Sequence, residues 1–140
     1  MKRILASGYF DPIHPGHISY LEEAKKLGDV LIVAVDGDKR AINKKGKPFI
    51  PANDRADIIR ALRCVDEVVI VDTDIKDALR ELKPDIFAKG GDRKDKKTIP
   101  EWELCEELGI ELVTGVGADK IWSSSNYLEE WIKFINKKNA

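Results

Sequence analysis

The stretch Gly8-Tyr9-Phe10-Asp11-Pro12-Ile13-His14-Pro15-Gly16-His17 holds the only two histidines of the chain, three positions apart on either side of a glycine. Before it, Ile4-Leu5-Ala6 reads as a buried strand; after it, Ile18 to Leu27 has the apolar spacing of a helix. The stretch is therefore a strand-to-helix junction, where unpaired backbone N–H groups and the helix dipole favour negative charge. That pattern reads as a phosphate site. Two histidines beside a helix-starting Pro-Gly is the plainer reading, and the motif alone leaves both open.

Further along, short apolar runs alternate with longer amphipathic ones. Strands are predicted near Ile4–Ser7, Val30–Val35, Glu67–Val71, Asp85–Ala88 and Glu111–Thr114, and helices near Gly16–Leu27, Ala52–Leu62, Ile75–Leu82, Ile99–Leu108 and from Ser124 to about Asn136. The alternation implies a single-domain α/β fold with a doubly wound, five-stranded parallel sheet. Boundary chemistry agrees. Gly28 and Gly109 are placed to close helices, Thr98 with Glu101 fits a capping box, and Pro51 and Pro84 fall where a missing N–H is tolerated. In such a sheet ligands bind beyond the carboxyl ends of the strands. Gly8–His17, a first lysine cluster, Lys89-Gly90-Gly91-Asp92 and Ser123-Ser124-Ser125 each follow a predicted strand, so all four are expected at one edge.

The chain has 140 residues, 43% hydrophobic and 35% charged, with a formal charge of −1. This is the size of one domain, and its balance gives no reason to expect nucleic acid or a membrane surface as partner. Anion binding must come from local clusters: Lys39, Arg40, Lys44, Lys45 and Lys47 in one predicted loop, and Lys89, Arg93, Lys94, Lys96 and Lys97 in another. The apolar run ending at Gly8 is too short for a signal segment or a membrane span, so a cytoplasmic location is expected. Cys64 and Cys105 lack metal or redox spacing and read as buried, reduced thiols.

At the predicted edge, His14 and His17 suit donation of hydrogen bonds to phosphate oxygens, which steadies charge developing on a transferred group. Gly16 would admit a close backbone approach. Gly90-Gly91-Asp92 is either a turn or a place where a ligand is admitted and Asp92 accepts a hydrogen bond from it. At least one of Ser123, Ser124 and Ser125 is expected to cap the last helix. Lys47, between Gly46 and Pro48, is the lysine held in the most defined turn, and it precedes the helix read as carrying Arg55 and Arg63. Trp102, Trp122 and Trp131 read as packing residues, Trp122 being nearest the site.

Taken together, Gly8-x-Phe10-Asp11-x-x-His14-x-Gly16-His17, Leu21-x-x-Ala24-x-x-Leu27-Gly28-Asp29, Arg63-x-Val65-Asp66-Glu67 and Ser123-Ser124-Ser125-Asn126 resemble the cytidylyltransferase-like family of HxGH nucleotidyltransferases, over nearly the whole chain. The resemblance implies a Rossmann-like fold and transfer of a nucleoside monophosphate from a nucleoside triphosphate to a phosphorylated small molecule, with Mg²⁺ and release of pyrophosphate. It assigns phosphate binding to His14 and His17, a loop cation to Lys47 (with Lys44 and Lys45 as alternatives), and triphosphate or acceptor contacts to Arg55 and Arg63. It further assigns nucleotide contacts to Gly8, Tyr9, Phe10, Asp11, Gly16, Gly91, Asp92, Ser123, Ser124 and Ser125, a water-mediated metal contact to Asp11, and a homodimer. Members that use CTP carry Arg-Thr-Glu-Gly-Ile-Ser-Thr-Thr near the end, where this chain has Gly117-Ala118-Asp119-Lys120-Ile121-Trp122-Ser123-Ser124. The Lys89-Gly90-Gly91-Asp92 string is closer to that of adenylyl-transferring members, so ATP with a heptose-like sugar phosphate leads. CTP with glycerol 3-phosphate is second and FMN third. A binding module without turnover, and a flavodoxin-like domain that recruits an acidic partner, are the readings outside catalysis.

Overall fold

In the computed structural model, which describes residues 1–91, 95–117 and 122–140, five parallel strands alternate with helices. They run β1 (Arg3–Gly8), α1 (Pro15–Lys25), β2 (Val30–Asp36), α2 (Asp38–Lys45), α3 (Ala52–Arg60), β3 (Glu67–Val71), α4 (Ile75–Leu82), β4 (Ile86–Ala88), a 3₁₀ turn (Lys96–Thr98), α5 (Trp102–Leu108), β5 (Glu111–Val113) and α6 (Ser124–Lys138). Every predicted strand is present, each within two residues of its expected ends.

The sheet order is β3-β2-β1-β4-β5. The chain winds outward from β1 through β2 to β3, then returns to lay β4 on the other side of β1, which makes the β1/β4 boundary the switch point. Alternation along the strands sends Ile4, Ala6, Leu31, Val33, Val35, Ile86 and Ala88 to one face, under Leu21 and Ala24 of α1 and Ile59 of α3. Leu5, Ile32, Ala34 and Phe87 go to the other, under Ala78 and Leu79 of α4 and Leu104 and Cys105 of α5. Burial on both faces is what makes these strands near-continuous apolar runs.

Three local expectations are corrected. The lysine-rich segment after β2 is a helix, α2, rather than a loop. Thr98 and Glu101 form no capping box: Ile99 precedes Pro100 and is extended (ψ 130°), so α5 cannot begin before it, and the Thr98 hydroxyl donates to the Asp95 carbonyl. Gly28 is not the left-handed cap of α1, whose last turn ends at Lys26. It is small because a Cβ there would lie 2.5 Å from Ile4 Cδ1 and 3.0 Å from the Lys2 carbonyl. Gly109 does close α5, with φ 70°. Among the described residues no helix is long and apolar enough to cross a membrane.

Candidate active site

His14 is the N-cap of α1, Pro15 its first residue and His17 its third. The His14 Nδ1 accepts the Gly16 N–H at 3.1 Å, and the His17 Nδ1 accepts the His14 N–H at 3.1 Å, a reciprocal cap built from two imidazoles. With each Nδ1 accepting, the hydrogen-bond pattern assigns the proton of each neutral ring to Nε2. The rings stack at 3.7 Å between centroids and 19° between planes, so two N–H donors are presented side by side at the N-terminus of a helix. Burial holds the His14 pKa below its ordinary 6.5, which keeps the ring a neutral donor near pH 7.

Gly16 is small for a reason other than ligand approach. A Cβ there would lie 2.9 Å from His14 Cε1 and 3.2 Å from Trp122, so the missing side chain makes room for the imidazole. Gly8 is covered by the Phe10 ring, which a Cβ would meet at 3.1 Å, and Phe10 in turn meets His17 edge-on at 5.0 Å.

Asp11 and Arg55 each do structural work. Asp11 is 1% exposed, and its two oxygens accept the Phe49 and Ile50 N–H groups at 2.8 Å each. That is a clasp between the β1 loop and the segment before α3, a structural role beside the water-mediated metal contact expected of Asp11. Arg55, also 1% exposed, donates to the Ile50, Tyr9 and Asp36 carbonyls at 2.7 to 2.8 Å and to Asp38 Oδ1 at 2.9 Å. Its guanidinium joins the ends of β1 and β2 to the starts of α2 and α3, and so is not free to reach a triphosphate. Asp38 also accepts the Ala52 N–H, a linking role the sequence did not reveal.

Arg63 is corrected by topology. Helix α3 runs back from the carboxyl edge of the sheet, so the turn after it, where Arg63 is exposed, lies at the opposite edge, beside the Lys25–Asp66 ion pair. Within one chain it cannot join the histidines. Lys47 is exposed in the turn after α2, while Lys44 of α2 stands 4.6 Å above the Tyr9 ring, which makes Lys44 the described lysine in contact with the β1 loop.

The last helix completes the edge. Ser123 is its N-cap, accepting the Asn126 N–H. Ser124 Oγ donates to the Pro12 carbonyl at 2.7 Å and Tyr127 lies 6.3 Å from His14, so α6 is tied to the histidine loop; Ser125 is exposed. Gly91, with φ 88°, follows β4 at the same edge, and Asp92 and Lys120 lie outside the described residues. The Cys105 thiol is pushed up to about 11 by burial and by Glu101, and burial raises that of Cys64, so both stay protonated, Cys64 being only half-buried.

Residues 5–122 match the pattern of the cytidylyltransferase-like family. An FAD synthase of Methanocella paludicola is 38% identical over 136 residues, which is 95% of this chain and 97% of that protein. The bifunctional protein HldE of Desulfatibacillum aliphaticivorans is 45% identical over 115 residues, 80% of this chain but only 23% of HldE. Among solved structures, the lipopolysaccharide core biosynthesis protein of Thermoplasma volcanium superposes with a TM-score of 0.73 at 36% identity, covering 85% of this chain and 99% of that one. Family pattern, parallel sheet and paired imidazoles at the switch point agree, and the chain belongs to the cytidylyltransferase-like family of nucleotidyltransferases.

Proposed function

We propose that the protein transfers a nucleoside monophosphate from a nucleoside triphosphate, bound with Mg²⁺, to a phosphorylated small molecule. The observation that carries this is the stacked His14–His17 pair at the N-terminus of α1, with both Nδ1 atoms engaged by backbone N–H groups so that the proton of each neutral ring sits on Nε2. An oxygen of the acceptor phosphate attacks the α-phosphorus, the α–β bridging bond breaks, and pyrophosphate leaves with the electron pair. The imidazoles and the α1 N-terminus hold the charge that builds on the phosphoryl oxygens, which is positioning and electrostatic work rather than nucleophilic catalysis. Lys44 and Lys47, on and after α2, are the cations to meet the outgoing phosphates. Mg²⁺ would be held chiefly by the phosphates of the nucleotide, where it would neutralise charge on the leaving pyrophosphate. Among the described residues no three metal-ligating side chains come together.

ATP with a heptose-like sugar phosphate is the leading pair. Supporting it are Lys89-Gly90-Gly91-Asp92 and the likeness to HldE and to the lipopolysaccharide core biosynthesis protein. ATP with FMN is the second reading, favoured by an FAD synthase that matches this chain almost end to end. CTP with glycerol 3-phosphate comes third, because the string before Ser123 lacks the arginine and glutamate of CTP-using members. A homodimer belongs to this reading; Tyr127, Trp131 and Phe134 form an exposed aromatic line on α6 that a second copy would cover. Pyrophosphate release, with ATP and CTP crossed against heptose 1-phosphate, FMN and glycerol 3-phosphate, tests the assignment. Release with ATP and the heptose phosphate alone supports the leading pair, and release with FMN alone replaces it with the second.

A further inference from the structure

The ladder between β1 and β2 runs the length of β1, from Arg3↔Val30 to Gly8↔Val35. That between β1 and β4 stops after Ile4↔Ile86 and Leu5↔Phe87, although β4 stays paired with β5 as far as Ala88↔Val113. Where it stops, the phenol of Tyr20 stands between the strands. Its oxygen accepts the Ser7 N–H at 3.1 Å and donates to the Ala88 carbonyl at 2.5 Å, satisfying one backbone group on each side of the opening.

Tyr20 is also the seat of the two glycine loops. A Cβ on Gly117 would lie 2.8 Å from Tyr20 Cα and 2.9 Å from its nitrogen, and Gly117 has φ 98°, so only glycine fits there. A Cβ on Gly90 would lie 3.3 Å from the Tyr20 ring. The loops are joined to each other, with the Val116 N–H donating to the Lys89 carbonyl at 3.1 Å. Tyr20 itself is one turn beyond His17 on α1. One residue thus touches β1, β4, both loops and the helix that carries the imidazoles.

We infer that Tyr20 is a positioning residue for nucleotide binding: its phenol props β1 and β4 apart at the switch point and fixes the spacing between the His14–His17 pair and the Gly90 and Gly117 loops. This rests on the function proposed above. The imidazole end takes the phosphates and the two loops take the nucleoside, so the tyrosine acts on the span between them and not on the reacting phosphorus.

The test is Tyr20→Phe, which keeps the ring and removes both hydrogen bonds, read by steady-state pyrophosphate release and by the affinity for ATP and for tripolyphosphate, a probe of the imidazole end alone. The expected result is a KM and a Kd for ATP raised about 10-fold, kcat at saturating ATP within about 3-fold of the parent, and unchanged tripolyphosphate affinity. Because this variant leaves the buried Ala88 carbonyl and the partly buried Ser7 N–H unpaired, Gly90→Ala is the companion. Its Cβ presses the loop against the ring while the hydrogen bonds stay, and the same split of KM from kcat is expected. ATP affinity unchanged in both variants overturns the inference. So does a parallel loss of kcat and tripolyphosphate affinity, which would mean that α1 itself had shifted. Parent protein that binds neither ATP nor tripolyphosphate removes the functional proposal beneath, and this inference with it.

Discussion

His14 and His17 hold one tautomer because each offers Nδ1 to a backbone N–H at the start of α1, and this gives a residue-level prediction. His17→Ala removes one of the two donors, so kcat should fall about 100-fold or more, while loss of its cap costs about 1 kcal/mol of stability. Turnover of purified, folded variant checks it, and an unchanged rate would remove the imidazole pair from the chemistry. Titration of His14 gives a second prediction. Its pKa is lower folded than unfolded, where the ordinary value is 6.5, so below that pH the unfolded chain binds more protons than the native one. The associated stability is complete above about 6.5 and is lost as pH falls through the lower, folded value, where a proton on Nδ1 breaks the bond to Gly16. Denaturant unfolding between pH 7.5 and 5 should therefore show a decline that His14→Asn reduces. The histidines were legible in the sequence because their spacing is the signal. Arg55 and Arg63 were not, since both are arginines in or near one helix and only the path of α3 buries the first and carries the second to the far edge.

Elements decide how that edge is held together. The sheet was readable because strands buried on two faces are apolar throughout, whereas α2 was missed because, among its residues with described side chains, only Ala41 is buried, leaving no apolar period to read. The clasps that join elements, Asp11 to residues 49 and 50 and Ser124 to Pro12, depend on contacts distant in sequence and leave no local pattern. Their strengths are testable. Arg55→Ala leaves three carbonyls, that of Asp36 buried and those of Ile50 and Tyr9 partly so, without their donor and should cost about 3 to 5 kcal/mol by chemical unfolding. A loss under 1 kcal/mol would mean that the guanidinium is dispensable to the cleft. Gly28→Ala, which drives a Cβ against Ile4 and the Lys2 carbonyl, should cost about 1 to 3 kcal/mol with little effect on KM, since it lies at the edge away from the site.

Across the whole molecule, the winding of the sheet brings the loops after β1, β2, β4 and β5 to one edge, and one turn of helix there carries the two stacked imidazoles. The exposed aromatic line of α6 adds a prediction at this scale. Light scattering should give twice the 15.8 kDa chain mass, and Trp131→Glu with Phe134→Glu should return it to the single mass; a monomeric parent protein would leave that line to another partner. In the proposed reaction the bond broken lies between the α- and β-phosphates. ATP labelled at the α-phosphorus, incubated with Mg²⁺ and the acceptor that supports turnover, is predicted to place its label in the acceptor product, with one pyrophosphate released per transfer. Label remaining in ADP, with the γ-phosphate on the acceptor or free in solution, would contradict it.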